Sequence, residues 1–191
     1  MVCYNGIEWF LRWLGVKDLE EAVKRELLEW AKALILALIL AWILRAVLVQ
    51  PYRVEGSSME SNLHNSERLF INRLVYRLHA PRRGDVVVAE LPNEGYSIIK
   101  RVIGLPGETI EIKDGSVFID GVRLEESYLN QATLDNYGPV QIPAEHFFVM
   151  GDNRQNSRDS RNVSIGFVAQ SQIKGQAVLV YWPLRSLRLI K

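Results

Sequence analysis

The 191-residue sequence is poor in the residues from which several common kinds of functional site are built. Its single cysteine, Cys3, excludes an intrachain disulfide framework. Its three histidines, His64, His79 and His146, are scattered and show no metal-ligand spacing. The formal net charge is only +1, so the chain lacks the basic surplus of a nucleic-acid-binding protein, and we expect no nucleic-acid partner.

Long apolar runs are also scarce. The uninterrupted run over residues 33–44 is too short to cross a bilayer by itself and would also suit a core helix or a signal sequence. Extended to residues 27–49 it becomes long enough, and Lys32 and Arg45 then flank its centre, where they can reach towards headgroups. A cleaved signal peptide is disfavoured because no small-x-small cleavage site follows. The sequence therefore predicts a retained transmembrane anchor over residues 27–49.

Residues 1–26 precede this anchor and show helical periodicity. Leu19, Val23 and Leu27 recur every four residues after a candidate helix start at Asp18. Such a helix can lie on a membrane surface or pack against its own neighbours, and both interpretations stay open. We therefore interpret residues 1–26 as an amphipathic segment.

From residue 50 onward the pattern changes to short β-type runs. The runs that indicate strands are residues 68–72, 85–90, 97–103, 109–113, 117–120, 147–150 and 178–182. Residues 123–146 are polar and irregular, and we interpret them as an insertion rather than a second domain. Because strands do not alternate with helices, the chain is predicted to be mainly β. Residues 50–191 would form an antiparallel β domain, either a sandwich or a partly open barrel.

Ser58 lies where the apolar segment meets this β-rich body, and its hydroxyl would need a base to become a nucleophile. The candidate base is Lys100. Alternation along its strand places Ile98 and Val102 on the same face as Lys100 and Arg101 on the other face. Aliphatic neighbours leave the amine poorly hydrated, which lowers its pKa as a lysine base requires.

Four stretches occur in order along the chain: Gly56-Ser57-Ser58-Met59, and residues 83–87, 100–107 and 151–161. Together they resemble the type I (leader) signal peptidases, which are membrane-anchored Ser/Lys proteases of bacteria and thylakoid membranes. The resemblance runs from about Trp42 to Trp182. Its most specific part is the last stretch, Gly-Asp-Asn-Arg-Gln-Asn-Ser-Arg-Asp-Ser-Arg.

The resemblance implies roles for particular residues of this sequence. Ser58 matches the catalytic nucleophile of the family and Lys100 matches its general base. Ser157 matches a serine whose hydroxyl orients the lysine amine. Asp159 and Arg161 match a structural ion pair behind the site.

Further positions match supporting parts of the family's site. The residues that would shape the last stretch are Asp152, Asn153 and Arg154. Met59 matches a wall of the substrate site. The backbone N–H groups of Ser58 and Gly56 would bind the oxyanion. Some members have a serine where this chain has Gly56, so that side-chain donor is absent here.

The resemblance implies a serine endopeptidase that removes N-terminal signal peptides from exported pre-proteins. Its expected partners are signal peptides and the lipid bilayer, and shallow apolar pockets would select small residues at positions −1 and −3 from the cut. The family's topology implies one pass through a cell or thylakoid membrane, with residues 1–26 as a cytoplasmic segment and the catalytic domain outside the cytoplasm. Neither a metal nor an organic cofactor is needed.

One departure from the family motivates an alternative function. Proline and then threonine usually follow Ser-Met-x, whereas this chain has Ser61 and Asn62. Proline would preset φ and stiffen the turn behind the nucleophile. A catalytically weak, membrane-tethered peptide-binding relative is therefore the alternative.

Other interpretations fit the residues less well. A self-cleaving repressor shares the Ser/Lys fold but needs an N-terminal DNA-binding domain, which the apolar residues 1–49 do not resemble. A Ser/His/Asp triad needs a histidine in a comparable motif, and the sequence has none. In isolation, Ser58 would suit an ordinary turn and Lys100 a sheet edge.

Overall fold

The computed structural model describes residues 16–91 and 95–190, and within that range it leaves out the side chains of residues 16–22 and 43–49. The chain divides into two compact units, Met1–Ala46 and Val47–Lys191. Most of the predicted amphipathic segment, residues 1–15, lies outside the described residues.

A long helix, α1 (Val16–Leu48), includes all described residues of the first unit. Its described apolar side chains are exposed, as Leu36 at 66% and Trp42 at 71% illustrate. Within the residues that the structure describes, no helix is long and apolar enough to cross a membrane. The side chains of residues 43–49, the C-terminal end of the predicted anchor, lie outside the described set. The anchor over residues 27–49 therefore stays a prediction.

The described part of the second unit consists of strands, a short α-helix, α2 (Val75–Leu78), and two 3₁₀ helices, Gln170–Gln172 and Leu184–Ser186. The strands are β1 (Val49–Arg53), β2 (Arg68–Asn72), β3 (Val86–Leu91), β4 (Tyr96–Gly104), β5 (Thr109–Lys113), β6 (Ser116–Ile119), β7 (Val122–Arg123), β8 (Tyr137–Gln141), β9 (His146–Met150), β10 (Val168–Ala169), β11 (Ile173–Trp182) and β12 (Arg188–Leu189).

These strands form two sheets, and every pairing among the described strands is antiparallel. The larger sheet has eight strands in the order β1-β2-β11-β3-β4-β9-β10, with β12 added against β11. The smaller sheet has four strands in the order β7-β6-β5-β8. The prediction of a mainly β, antiparallel domain is confirmed.

The centre of the larger sheet is buried on both faces. Along β3, Val86 and Val88 pack into one apolar core, whereas Val87 and Ala89 pack into another. Val87 pairs with Lys100 on β4, and the neighbours of Lys100 on that strand, Ile98 and Val102, belong to the same core as Val87. Lys100 therefore lies deep in the fold, with the aliphatic neighbours predicted from strand alternation.

The segment 123–146 contains a strand that the sequence pattern did not indicate. β8 pairs with β5 and completes one edge of the smaller sheet. Gly138 and Pro139 lie in its middle, and both residues are rare in strand interiors. An edge strand tolerates proline because its outer N–H groups have no ladder partner. The interpretation of this segment as irregular was therefore wrong for residues 137–141.

Candidate active site

Ser58 lies in a turn that follows β1 and is held from two directions. Within the turn, the Glu60 N–H donates to the Ser57 carbonyl at 3.0 Å. From the loop after β9, Asn153 donates its backbone N–H to the Ser58 carbonyl at 3.0 Å and its side-chain amide to the Ser57 carbonyl at 3.1 Å. These contacts fix the backbone that carries the Ser58 hydroxyl.

Lys100 enters the same site from β4, and its side chain is almost completely buried. Its Nζ lies at hydrogen-bond distance, 2.7 Å, from Ser58 Oγ and donates to the Ile99 carbonyl at 3.0 Å. Burial lowers the pKa of Lys100 to about 8, although the negative charges of Asp159 and Asp152 act in the opposite direction. A neutral amine is therefore accessible within reach of the serine hydroxyl.

Asp159 and Arg161 form an ion pair beside the site. Asp159 is fully buried, and Arg161 donates Nε and Nη2 to its two carboxylate oxygens, each at 2.9 Å. The N–H groups of Gly151 and Arg161 also donate to Asp159, at 2.9 and 3.3 Å. Burial raises the pKa of Asp159, but the hydrogen bonds and charge of Arg161 outweigh it, so the pKa is lowered. A stable buried anion therefore lies close enough to affect Lys100.

Asp152 forms a second buried ion pair, and its partner comes from β4. Arg101 donates Nε and Nη2 to the two carboxylate oxygens of Asp152 at 2.9 and 2.7 Å. The ring of Tyr128 lies against this guanidinium, and its centroid is 4.1 Å from Arg101 Cζ. Strand alternation puts Arg101 on the face opposite Lys100, but no motif indicates a role for Arg101, because its partner lies 51 positions further along the chain.

Arg154 connects the loop after β9 to the segment 123–146. Its Nη1 donates to Glu126 and to Thr133, each at 2.8 Å, and its Nε donates to the Gly151 carbonyl at 3.1 Å. Neither Glu126 nor Thr133 lies in a motif, so no sequence pattern indicates a function for them. Together they hold the guanidinium that shapes the loop around Ser58.

Ser157 lies beside Gly151, close to the nucleophile. A Cβ at position 151 would collide with the Ser157 hydroxyl and with the Ser58 carbonyl, so a glycine is required there. Ser157 Oγ is buried and interacts with the Asp159 carboxylate, whose pKa it helps to lower, although no contact of Ser157 Oγ among the described residues has full hydrogen-bond geometry. The structure thus brings Ser157 next to Ser58 but does not contain the bond to the Lys100 amine that the resemblance implies.

Gly56 and Met59 lie on either side of Ser58 in different surroundings. Met59 lines the cleft described below, is only 1% exposed, and packs into the core with Val54. The Gly56 N–H donates to Asn65 Oδ1 at 3.1 Å, so this predicted oxyanion donor is engaged elsewhere. Within the described part of the chain, no acceptor takes the N–H of Ser58 itself.

A cleft opens between the nucleophile turn and β4. It is lined by residues 52–59 and 96–100, together with Asn156 and Arg158. Along one edge β4 pairs with β3, but along the other edge β9 pairs with it only from Arg101 onward. No described strand covers the second edge over residues 96–100, which leaves backbone groups that an extended peptide can pair with.

A comparison with protein families identifies the chain that carries this site. The family model described as "Signal peptidase, peptidase S26" matches residues 27–182. The chain belongs to this signal peptidase family. The resemblance inferred from the four sequence stretches is confirmed, and so is the prediction of a signal-peptidase-type serine endopeptidase.

Individual signal peptidases are similar over most of the chain. Signal peptidase I P of Bacillus subtilis subsp. natto is 41% identical over 184 residues, which cover 91% of this chain and 99% of the relative. Signal peptidase I T of Bacillus subtilis (strain 168) is 40% identical over 174 residues, covering 86% and 90%. A crystal structure of a signal peptidase I from Enterococcus faecalis V583 is 35% identical, covers 50% of this chain and 95% of that chain, and has a TM-score of 0.45.

Proposed function

We propose that this signal peptidase removes N-terminal signal peptides from exported pre-proteins with Ser58 as the nucleophile and Lys100 as the general base. The observation that carries the proposal is the 2.7 Å separation of Ser58 Oγ and Lys100 Nζ in a buried site. A serine hydroxyl becomes an effective nucleophile when a base takes its proton during attack. A lysine whose pKa lies near 8 can be that base, because a useful fraction is neutral near neutral pH.

In the acylation step, Ser58 Oγ attacks the scissile carbonyl carbon as its proton moves to Lys100 Nζ. The tetrahedral intermediate places negative charge on the former carbonyl oxygen. We assign the stabilisation of this oxyanion to the backbone N–H of Ser58, since no described residue accepts from it. Collapse of the intermediate breaks the C–N bond, and the Lys100 ammonium donates its proton to the departing amine of the mature protein.

In the deacylation step, water attacks the ester that joins the signal peptide to Ser58. Neutral Lys100 takes a proton from this water, and its ammonium then returns the proton to Ser58 Oγ as the ester bond breaks. We assign to Ser157 the orientation of the Lys100 amine during these transfers. Support comes from its hydroxyl, which is buried beside the nucleophile turn and interacts with Asp159, the carboxylate whose charge also acts on Lys100.

We propose that the substrate binds as an added strand along residues 96–100 of β4. The uncovered backbone edge there would supply its main-chain hydrogen bonds. Met59 and Ile98 are apolar, buried residues of the cleft lining and would form shallow pockets for small side chains. Small residues at positions −1 and −3 match the Ala-x-Ala ends of signal peptides.

We further propose that helix α1 keeps the enzyme at a bilayer, with the catalytic domain on the extracytoplasmic side. Between Val23 and Trp42 its large apolar side chains are exposed at 50% or more. Lipid tails would cover such surface favourably, whereas water would not. A membrane location would also bring the active site to the place where signal peptides emerge.

The decisive experiment is cleavage of a pre-protein whose signal ends in Ala-x-Ala, in detergent, by the wild type, Ser58→Ala and Lys100→Ala. We expect cleavage by the wild type alone. Cleavage by folded Ser58→Ala would overturn the proposed nucleophile. No cleavage by folded wild type would favour the alternative, a peptide-binding relative. Ser61 and Asn62 motivate that alternative, but the close contact between Ser58 and Lys100 argues against it.

A further inference from the structure

Asn62 closes the turn that carries Ser58. Its backbone N–H donates to the Met59 carbonyl at 3.1 Å. Its side-chain Nδ2 donates to Asp152 Oδ2 at 2.8 Å and to the Tyr128 carbonyl at 3.2 Å. A carboxylate and a carbonyl can only accept hydrogen bonds, so this position requires a side chain with two donated hydrogens.

The Asn62 amide completes a ring of hydrogen bonds that joins the nucleophile turn to the loop after β9. Its acceptor Asp152 is held by the buried side chain of Arg101. The next residue along, Asn153, donates its backbone N–H to the Ser58 carbonyl at 3.0 Å. The turn is thus attached to the loop after β9 at Ser58 and again at Asn62, and the second attachment prevents the turn from pivoting about the first.

The backbone at Ser61 explains how Asn62 reaches Asp152. Ser61 has a φ of 97°, in the left-handed region that side chains rarely adopt. Proline, which the family usually has at this position, fixes φ near about −65° and could not adopt this backbone. Ser61 and Asn62 therefore act as a unit, in which the unusual φ of the first residue turns the amide of the second towards the loop.

Asn62 is also held from its carbonyl side. Arg188, in β12, donates Nη2 to the Asn62 carbonyl and pairs with Glu67 at 2.7 Å. Glu67 is only 3% exposed, and its own carboxylate accepts the His64 N–H at 3.0 Å. The orientation of Asn62 is therefore fixed by the strand at the end of the chain as well as by the turn.

We infer that Asn62 is a positioning residue that holds Ser58 Oγ at reacting distance from Lys100 through Asp152 and Asn153. This inference rests on the proposed role of Ser58 as the nucleophile. Asn62 does not line the cleft, so its loss should leave peptide binding intact while allowing the hydroxyl to move away from the amine. Small misplacements of reacting groups reduce turnover steeply.

The test compares kcat and KM of Asn62→Ala, Asn62→Asp and Asn62→Thr with wild type on the Ala-x-Ala pre-protein, with melting temperatures measured in parallel. We expect Asn62→Ala to lower kcat about tenfold or more with KM within about twofold. Asn62→Asp should lose more, because an acceptor then faces the Asp152 carboxylate. Asn62→Thr keeps one donor and should retain an intermediate kcat, which provides a test even if the alanine variant fails to fold.

Asn72→Ala is the matched control for a purely structural loss. The side chain of Asn72 also takes part in two hydrogen bonds, because its Oδ1 accepts from the N–H groups of Leu74 and Val75, but neither bond involves the nucleophile turn. We expect it to lower the melting temperature and leave kcat unchanged. Wild-type kcat in Asn62→Ala or Asn62→Thr, or a loss confined to KM, would overturn the inference. Residual turnover by Ser58→Ala would instead overturn the proposed function.

Discussion

The Nζ atom of Lys100 lies 2.7 Å from the Oγ atom of Ser58, although the two residues are 42 positions apart in the chain. The larger sheet makes this approach possible because it buries the middle of β4 on both faces. The loop after β9 then holds the Ser58 carbonyl through Asn153. The base is thus supplied by a rigid strand and the nucleophile by a turn whose backbone is fixed separately.

Replacement of Lys100 by arginine should abolish cleavage. Arginine keeps the positive charge and most of the length, but its guanidinium is not deprotonated in proteins and cannot accept the serine proton. We expect kcat to fall by about 100- to 10,000-fold, the range typical of a lost general base. Pre-protein cleavage by the purified, folded variant measures this loss. Appreciable turnover by Lys100→Arg would remove the lysine-base mechanism.

The pH dependence of cleavage should report the buried amine of Lys100. Its folded pKa is lowered from 10.5 to about 8, and the neutral form is the active one. Activity should therefore rise as the pH increases through about 8, whereas an exposed lysine would give a rise only near about 10.4. The acid limb of kcat/KM on a pre-protein measures this value. A limb at the position of an exposed lysine would contradict the burial of Lys100.

Asp159→Asn should change both the pH profile and the stability. Asp159 raises the pKa of Lys100, so its neutralisation should move the acid limb to lower pH. It also breaks a buried ion pair with Arg161, which typically costs about 3 kcal/mol or more. Folding lowers the pKa of Asp159 from its ordinary value of 3.8. The difference in stability between wild type and Asp159→Asn should therefore be largest above pH 3.8 and should shrink as the pH falls further.

Glu111→Gln is the matched control for the loss of Asp159. Glu111 pairs with Lys113 at 2.9 Å, but both side chains are partly exposed. Exposed pairs contribute about 1 kcal/mol or less, and this one does not line the cleft. The melting temperature and the acid limb of Glu111→Gln should stay close to those of wild type. An equal effect of both substitutions would show that Asp159 acts only through overall charge.

Two independent signals in the sequence point to Ser58 and Lys100 as a pair, and the structure brings the two side chains within hydrogen-bond distance. The motif stretches marked both residues, and strand alternation placed Lys100 among aliphatic neighbours. The seven predicted strands correspond to β2–β6, β9 and β11, although β11 begins earlier, at Ile173. Alternating apolar patterns recover such strands because one or both faces are buried.

The rest of the site depends on contacts between residues far apart in sequence. Arg101 and Arg154 are charged residues that would ordinarily be assigned to the surface, yet both are almost completely buried. Their acceptors, Asp152 and Glu126, are brought to them only by the folded loops. The interpretation of residues 123–146 as an irregular insertion missed this connection, since a polar segment has no periodicity to indicate it.

Ser61 and Asn62 are the two departures from the usual family sequence, and substitutions at Ser61 test the first of them by itself. Ser61 has a φ of 97°, so Ser61→Gly should retain or slightly raise stability, because glycine adopts this conformation without strain. Ser61→Pro should lower both the melting temperature and kcat, because proline cannot adopt a positive φ. Thermal unfolding and pre-protein cleavage measure the two effects. A Ser61→Pro variant as stable and active as wild type would show that this turn can reorganise freely.

Gly151→Ala should disable the site by crowding alone. The added Cβ would meet the Ser157 hydroxyl and the Ser58 carbonyl, and moving the Ser58 carbonyl displaces the nucleophile turn. We expect kcat to fall by about 100-fold, because small misplacements of catalytic groups typically reduce turnover by about this factor.

Gly121→Ala is the control for Gly151→Ala, because Gly121 has a φ of 78° but open space around it. That substitution should cost about 1–2 kcal/mol of stability through backbone strain and leave kcat unchanged. If Gly151→Ala kept the wild-type kcat, the close packing of Ser58 against the loop would not be required for catalysis.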